Sequence, residues 1–293
     1  MSRLFFIAMW CLIVPGLAVM LFLGVSSAVF SPWVSALSVL FSALYIAVIL
    51  ALLRLLGPAF PGARQQAHVK DHGWVSTGWI IAALTWGAGA SLLFVFPSAM
   101  AVMQLSNYTG WHQAMASWSG AYPEEAAKAL GVVFVLFSYR VLNRPWHGAV
   151  VGAVVGLGFE TFENILYGAT GGVMSLTSDF QGMLGTWISR IFVGPFLHIS
   201  FTAIAGWGIG WAIYAAHKTI TWRIVTALSW LALAFILHFG WNYMMGSLTS
   251  FAVKNVIICI VMYTAVAYIC RRSFVLARED ESYSYQPSLE QRV

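Results

Sequence analysis

Eight side chains stand in stretches that offer few other polar groups: Glu124, Glu125 and Lys128, then Glu160 and Glu163, then His198, and finally His238 with Asn242. Carboxylates and imidazoles exchange protons in catalysis, and the same groups ligate metal ions. Their spacing keeps them together within each segment. Lys128 is four residues from Glu124 and three from Glu125, so one ammonium can neutralise a carboxylate and hold it ionised. Glu160 shares a helix face with Glu163 and with Asn164, and His238 with Asn242 can point at a single atom or metal. Blander readings exist for each. Acidic residues directly after Pro123 fit the first turn of a helix, and a single histidine such as His198 fits an interhelical hydrogen bond.

The elements that must position these groups are membrane spans. Of 293 residues 60% are apolar and 9% charged, against about 25% charged in a soluble domain. Leu4 to Leu53 carries no charge, and Gly73 to Pro123 has His112 as its one titratable group besides tyrosine. About 20 apolar residues cross the hydrocarbon core as a helix. A soluble enzyme, a nucleic-acid-binding protein and a disordered chain are therefore excluded. The pI of about 9.2 does not point to nucleic acid, since no basic cluster is interleaved with aromatics. Cys11, Cys259 and Cys270 are scattered and give no zinc spacing or disulfide framework.

Turn-formers and charges divide the chain into an all-α, polytopic bundle of eight predicted spans: 4–25, 33–55, 74–97, 121–142, 147–169, 186–214, 223–245 and 252–271. Ser31-Pro32 breaks the first run, because fifty residues of helix would reach about 75 Å. The first segment is apolar for longer than a signal-peptide core and reads as a retained span. Residues 98–120 are too polar to cross and are expected at the outer interface or as a re-entrant piece. The expected organisation is 1–120 for the first three spans and the interfacial segment, 121–245 for a catalytic core, 246–272 for a last span and 273–293 for a solvated tail.

Twelve of the fifteen Lys and Arg residues fall at the N-terminus, in alternate loops or in the tail: Arg3; Arg54, Arg64 and Lys70; Arg140 and Arg144; Lys218 and Arg223; Arg271, Arg272, Arg278 and Arg292. The positive-inside rule then places both termini in the cytoplasm. Lys254 and Arg190 fall on the other side, and Lys128 within a span. At 1.5 Å per residue the four glutamates and His238 stand roughly 20–24 Å above the cytoplasmic marks, and His198 about 12 Å below the outer face. Ionisable groups at membrane depth are costly and usually face the bundle interior, so agreement on one layer points to function.

Tyr122-Pro-Glu-Glu-Ala-Ala-Lys128 has the form E-E-x-x-K, Phe159-Glu-Thr-Phe-Glu-Asn164 the form F-x-x-x-E-N, and His238-Phe-Gly-Trp-Asn242 the form H-x-x-x-N. With Phe196-Leu-His198 between them, their order and spacing resemble the PrsW family of bacterial intramembrane proteases. That family lies in a wider group with the CAAX prenyl endopeptidase and a non-catalytic subunit of gamma-secretase. The resemblance spans about 121–245. It implies a multi-pass protein of the bacterial inner membrane that cleaves membrane-anchored proteins, such as anti-sigma factors. It further implies that Glu124 and Glu125 belong to the first catalytic motif, Glu163 to the second, His198 to the third, and His238 with Asn242 to the fourth. Glu160 is outside the core of that pattern.

Two chemistries suit these residues. Glu163, His198 and His238 could form the ligand set of a catalytic zinc with an open fourth position, Glu125 acting as general base on bound water. Without a metal, Glu125 with Glu163 would activate water while His238 and Asn242 hold the oxyanion. A transporter or channel would instead relay protons or cations, but it calls for polar groups along the whole path. Leu130 to Phe137 and Thr226 to Leu237 offer only Thr226 and Ser229. A non-catalytic scaffold on the protease fold is the third reading.

Overall fold

The computed structural model describes residues 2–61 and 73–280. The described residues contain ten α-helices and no strand: α1 (Arg3–Phe30), α2 (Pro32–Arg54), α3 (Gly73–Thr85), α4 (Ser91–Thr109), α5 (Met115–Ser138), α6 (His147–Val173), α7 (Asp179–Phe192), α8 (Leu197–Tyr214), α9 (Ile220–Asn242) and α10 (Leu248–Glu279). Arg64, Lys70 and Arg292, named above among the basic residues, lie outside the described residues. Seven helical stretches are long and apolar enough to cross a membrane. The eighth crossing is α5, whose 24 residues reach about 36 Å. It carries Glu124, Glu125 and Lys128, and it packs among α1, α4, α6, α8 and α9.

Four expectations change. Residues 98–120 are not a separate interfacial piece. A five-residue π-helical turn, Trp86–Ala90, joins α3 to α4 as one rod that runs on to Thr109, and α5 starts at Met115 rather than 121. Pro123 therefore lies inside a helix, and the helix-start reading of Glu124 and Glu125 falls away. The stretch 186–214 is two helices, broken at Val193–Phe196. There Gly194 (φ 73°) and Phe196 (φ 61°) are left-handed, and Pro195 has no N–H to continue the ladder. Finally, α10 continues to Glu279, so residues 273–279 are helix rather than tail.

The helix ends fall on two faces. Ser2 N donates to Phe137 O at 3.0 Å, Tyr214 Oη donates to Leu136 O at 2.8 Å, and Arg144 pairs with Asp280 at 2.6 Å. The start of α1 and the ends of α5, α8 and α10 thus share the face to which the basic residues point. At the opposite face Ser31 Oγ donates to Asp179 Oδ2 at 2.6 Å, and Met244 N to Gln113 O at 3.0 Å.

The centre of the bundle is the α6–α8 contact, and it is made by glycine. A Cβ on Gly148, Gly152 or Gly156 would collide with the carbonyl oxygens of Gly206, Thr202 or His198. Small residues of this kind let two backbones approach in a membrane, where no hydrophobic force drives helices together. The π turn does the same for its neighbours: a Cβ on Gly87 would collide with the backbone at Val155 and Phe159, and one on Gly89 would stand 3.0 Å from Gly16 C. Outside, large apolar side chains such as Phe22, Leu44, Leu228 and Ile260 are exposed, as lipid contact requires.

Two outcomes are expected. Single cysteines at Leu176, in the α6–α7 turn, and at Lys218, in the α8–α9 turn, should react with an impermeant reagent from opposite sides of the membrane; labelling from one side would refute the two-face arrangement. Gly156→Leu should lower the unfolding temperature in detergent. Gly24→Ala, where nothing lies within 4 Å of the added carbon, should not.

Candidate active site

Helices α5, α6, α8 and α9 bring their polar groups together. Lys128, with no exposed surface, sits 2.6 Å from Glu125 Oε1 and 3.4 Å from Glu124 Oε2. Its ammonium also lies 3.0 Å from His198 Nδ1 and over the Phe159 ring, 4.6 Å from the centroid. The rotation of α5 is fixed behind this group. Trp86 is fully buried and donates its indole N–H to Ala127 O at 3.0 Å, in space that exists because residue 131 is glycine.

The two imidazoles are each held from behind by a carboxylate. His238 Nδ1 is 2.8 Å from Glu125 Oε1, and His198 Nε2 is 2.9 Å from Glu163 Oε2. If each of those nitrogens carries the proton, the other nitrogens, His238 Nε2 and His198 Nδ1, are left with lone pairs, and that of His198 accepts from the Lys128 ammonium at 3.0 Å. The two nitrogens lie 3.9 and 3.6 Å from Glu124 Oε2. Among the described residues, Glu124, His198 and His238 form the group whose ligand atoms all lie within 4.8 Å of one another. The carboxylate that converges on the histidines is therefore Glu124 and not Glu163, whose Oε2 is taken by His198 and by Arg190 at 2.5 Å.

A cavity of about 350 Å³ opens in front of this group, lined by Glu124, Glu163, Arg190, His198, His238 and Asn242 among others. Glu125 does not line it. It is 1% exposed and stands behind His238, which places it poorly for a base acting on a water in the cavity. Asn242 reaches the wall from the end of α9, its amide 3.4 Å from Ala116 O. Lys254 of α10 closes that helix end by donating to the carbonyls of Trp241 and Tyr243 at 3.0 and 2.6 Å.

Sequence reasoning missed three residues. Arg190, assigned above to the outer side, turns into the cavity wall, where it bonds Glu163 and Asn164 and lies 4.5 Å from the centre of the Tyr167 ring. An arginine alone in an apolar run on the less basic side was the available signal. Tyr167 left no pattern. Neither did Tyr45 of α2, which donates to Glu160 Oε1 at 2.6 Å. Glu160 itself is buried away from the cavity, and its Oε2 accepts the backbone N–H groups of His198 and Ile199 at 3.0 and 3.3 Å.

Four carboxylates, Glu124, Glu125, Glu160 and Glu163, are gathered here with two cationic side chains, Lys128 and Arg190. Two nitrogens and one oxygen converging at 3.6 and 3.9 Å, with the far imidazole nitrogens already paired, are a donor set of the kind that suits a divalent ion; the Lys128 ammonium, 3.0 Å from His198 Nδ1 and 3.4 Å from Glu124 Oε2, is the cation that meets two of them. The model of the PrsW family of intramembrane metalloproteases matches residues 75–269, which takes in the convergent group and the whole cavity wall. The chain belongs to the PrsW family. It is 30% identical to Protease PrsW of Geobacillus kaustophilus (strain HTA426) over 167 residues, 54% of this chain and 68% of that protein. It is 25% identical to Protease PrsW of Bacillus subtilis (strain 168) over 170 residues, 55% and 68% respectively. No solved structure matches it. PrsW membership makes this chain a multi-pass membrane protein of a protease family and gives the transporter reading no support.

Lys128→Met should be among the most damaging single changes in this PrsW-family chain. Removing one partner of a buried ion pair leaves an uncompensated charge, typically about 3–5 kcal/mol. Thermal unfolding of the purified protein in detergent should show a large loss of stability, whereas Arg272→Met, on the exposed surface of α10, should be nearly neutral.

Proposed function

We propose that this chain hydrolyses a peptide bond of a membrane-anchored protein, using a water held in the outer half of the bilayer between Glu124 and the two imidazoles. One observation carries the reading: both histidines are fixed by carboxylates at one nitrogen and directed at Glu124 Oε2 with the other. A cavity of about 350 Å³ in front of them leaves room for an extended segment of substrate backbone. The bare cytoplasmic halves of α5 and α9 support a blind cleft over a through-path.

Peptide hydrolysis needs a proton acceptor for the attacking water, a donor for the leaving amine, and donors at the oxyanion. Glu124 Oε2 faces the imidazoles, while Oε1 lies outside that convergence. The carboxylate can therefore hold the water, take its proton on attack and return it to the departing nitrogen. Glu125 and Glu163 keep the imidazoles in one tautomer and orientation. Lys128 pairs with both Glu124 and Glu125, so that each buried charge of α5 has an opposite charge within 3.4 Å. Asn242 lines the cavity with amide donors for the developing oxyanion. Glu124, His198 and His238 are the residues that would hold a divalent ion, and zinc there supplies a Lewis acid for the same water and the scissile carbonyl. The substrate class is a single-span or lipid-anchored regulatory protein of the bacterial cell membrane, an anti-sigma factor being one such.

Cleavage of a panel of membrane-anchored proteins by the chain in proteoliposomes tests this. Glu124→Gln should reduce the rate by about 10²–10⁴ with the fold intact. Bound zinc should fall in Glu124→Gln, His198→Ala and His238→Ala, while Glu163→Gln should retain more of it. Full cleavage by Glu124→Gln would end the proposal; full activity in metal-free protein would remove zinc from it.

A further inference from the structure

The most unusual backbone near the cavity is the start of α8. This helix begins within the bundle, after the left-handed Gly194 and Phe196, and its first free N–H groups cannot be solvated by lipid. Such groups must be satisfied internally at membrane depth. No residue of the segment itself caps them: Phe196 occupies the N-cap position with no side-chain bond. The partner comes from another helix. Glu160 Oε2 accepts the N–H of His198 at 3.0 Å and that of Ile199 at 3.3 Å.

The other oxygen of Glu160 is also engaged. Tyr45 Oη donates to Oε1 at 2.6 Å, and the Tyr45 ring stacks on Phe196, 6.3 Å between centroids at 17°. Tyr263 Oη, from α10, donates to Pro195 O at 2.6 Å on the same turn. Gly156, one turn before Glu160 on α6, lets the His198 carbonyl come into backbone contact. Glu160 is thus bonded directly to the backbone of a residue whose imidazole faces the cavity, yet it is 5% exposed and does not line the cavity.

We infer that Glu160, oriented by Tyr45, is a positioning residue: it caps α8 across the bundle and so sets where the His198 imidazole stands relative to Glu124. The consequence for cleavage rests on the hydrolytic reading above; the consequence for His198 does not. The carboxylate charge has a use here, because the N-terminus of α8 presents partial positive charge that favours an anion. A Gln can replace one accepting oxygen, whereas Ala leaves two N–H groups unpaired.

The test is NMR of the full chain in micelles with ¹⁵N-labelled histidine, the His198 amide being assigned by its loss in His198→Gln. Glu160→Ala and Tyr45→Phe should move the His198 amide resonance and speed its hydrogen exchange, with Glu160→Gln closer to the parent. Cleavage should show kcat reduced about 10–100-fold in Glu160→Ala with KM little changed, the range typical of groups that orient a ligating histidine, and Glu160→Gln should recover most of it. An unmoved His198 amide in both Glu160→Ala and Tyr45→Phe would overturn the inference. So would a moved amide with kcat unchanged. If Glu160→Ala does not fold, Tyr45→Phe and Glu160→Gln carry the same comparison. A chain with no cleavage at all would sink the hydrolytic reading while the amide result still decides the positioning of His198.

Discussion

An ammonium with no exposed surface lies at the centre of this bundle, and the rest of the arrangement follows from the need to keep it there. Lys128 can be taken out of water because Glu125 at 2.6 Å, His198 Nδ1 at 3.0 Å, Glu124 at 3.4 Å and the Phe159 face replace its hydration. The reverse holds for the two carboxylates, which would be unstable in an apolar layer without it. The charged face of a helix cannot meet lipid, so α5 turns Glu124, Glu125 and Lys128 toward α6, α8 and α9 and leaves Tyr122 and Leu130 exposed. Those neighbours in turn need small residues to close around it, and the glycines of α6, α8 and the π turn supply them.

The same constraint governs helix ends. Backbone polar groups at membrane depth need partners within the protein. At the start of α8 the partner is a carboxylate, Glu160, and at the end of α9 it is an ammonium, Lys254. Each sign matches the partial charge of the helix end it meets. These caps lie at the two helices that carry the histidines, so the devices that satisfy broken backbone also fix where the imidazoles stand.

Membership of the PrsW family and the geometry of the cluster bear on different questions. The family match establishes the protein class. The pairing of each imidazole with a carboxylate behind it, and of both with Glu124 in front, says which groups can act together on one water or one ion. Arg190 belongs to the same set, since it holds Glu163 and thereby the far side of His198.

The sequence by itself determined the properties that depend on local composition and spacing. Apolar run lengths set the number of crossings, and the basic residues marked one face. The depth of Glu124, Glu160, Glu163 and His238 followed from residue counting, because the rise per residue of a helix is constant. The motifs on α5, α6, α8 and α9 were legible for the same reason. Rotation about the helix axis was not. Neighbouring residues such as Glu124 and Glu125 point about 100° apart, and which of them faces the cavity depends on how Trp86 and Gly131 seat α5. That seating turned Glu124 to the histidines and Glu125 behind them, and it left Glu163 to His198 and Arg190. Gly194-Pro195 was visible as a break signal, yet the apolar run through it reads as one span. Only contact with α6 and α2, through Glu160 and Tyr45, shows how a helix can begin inside the bundle. Such contacts join residues 115 and 38 positions apart in the chain, and no period along it records them.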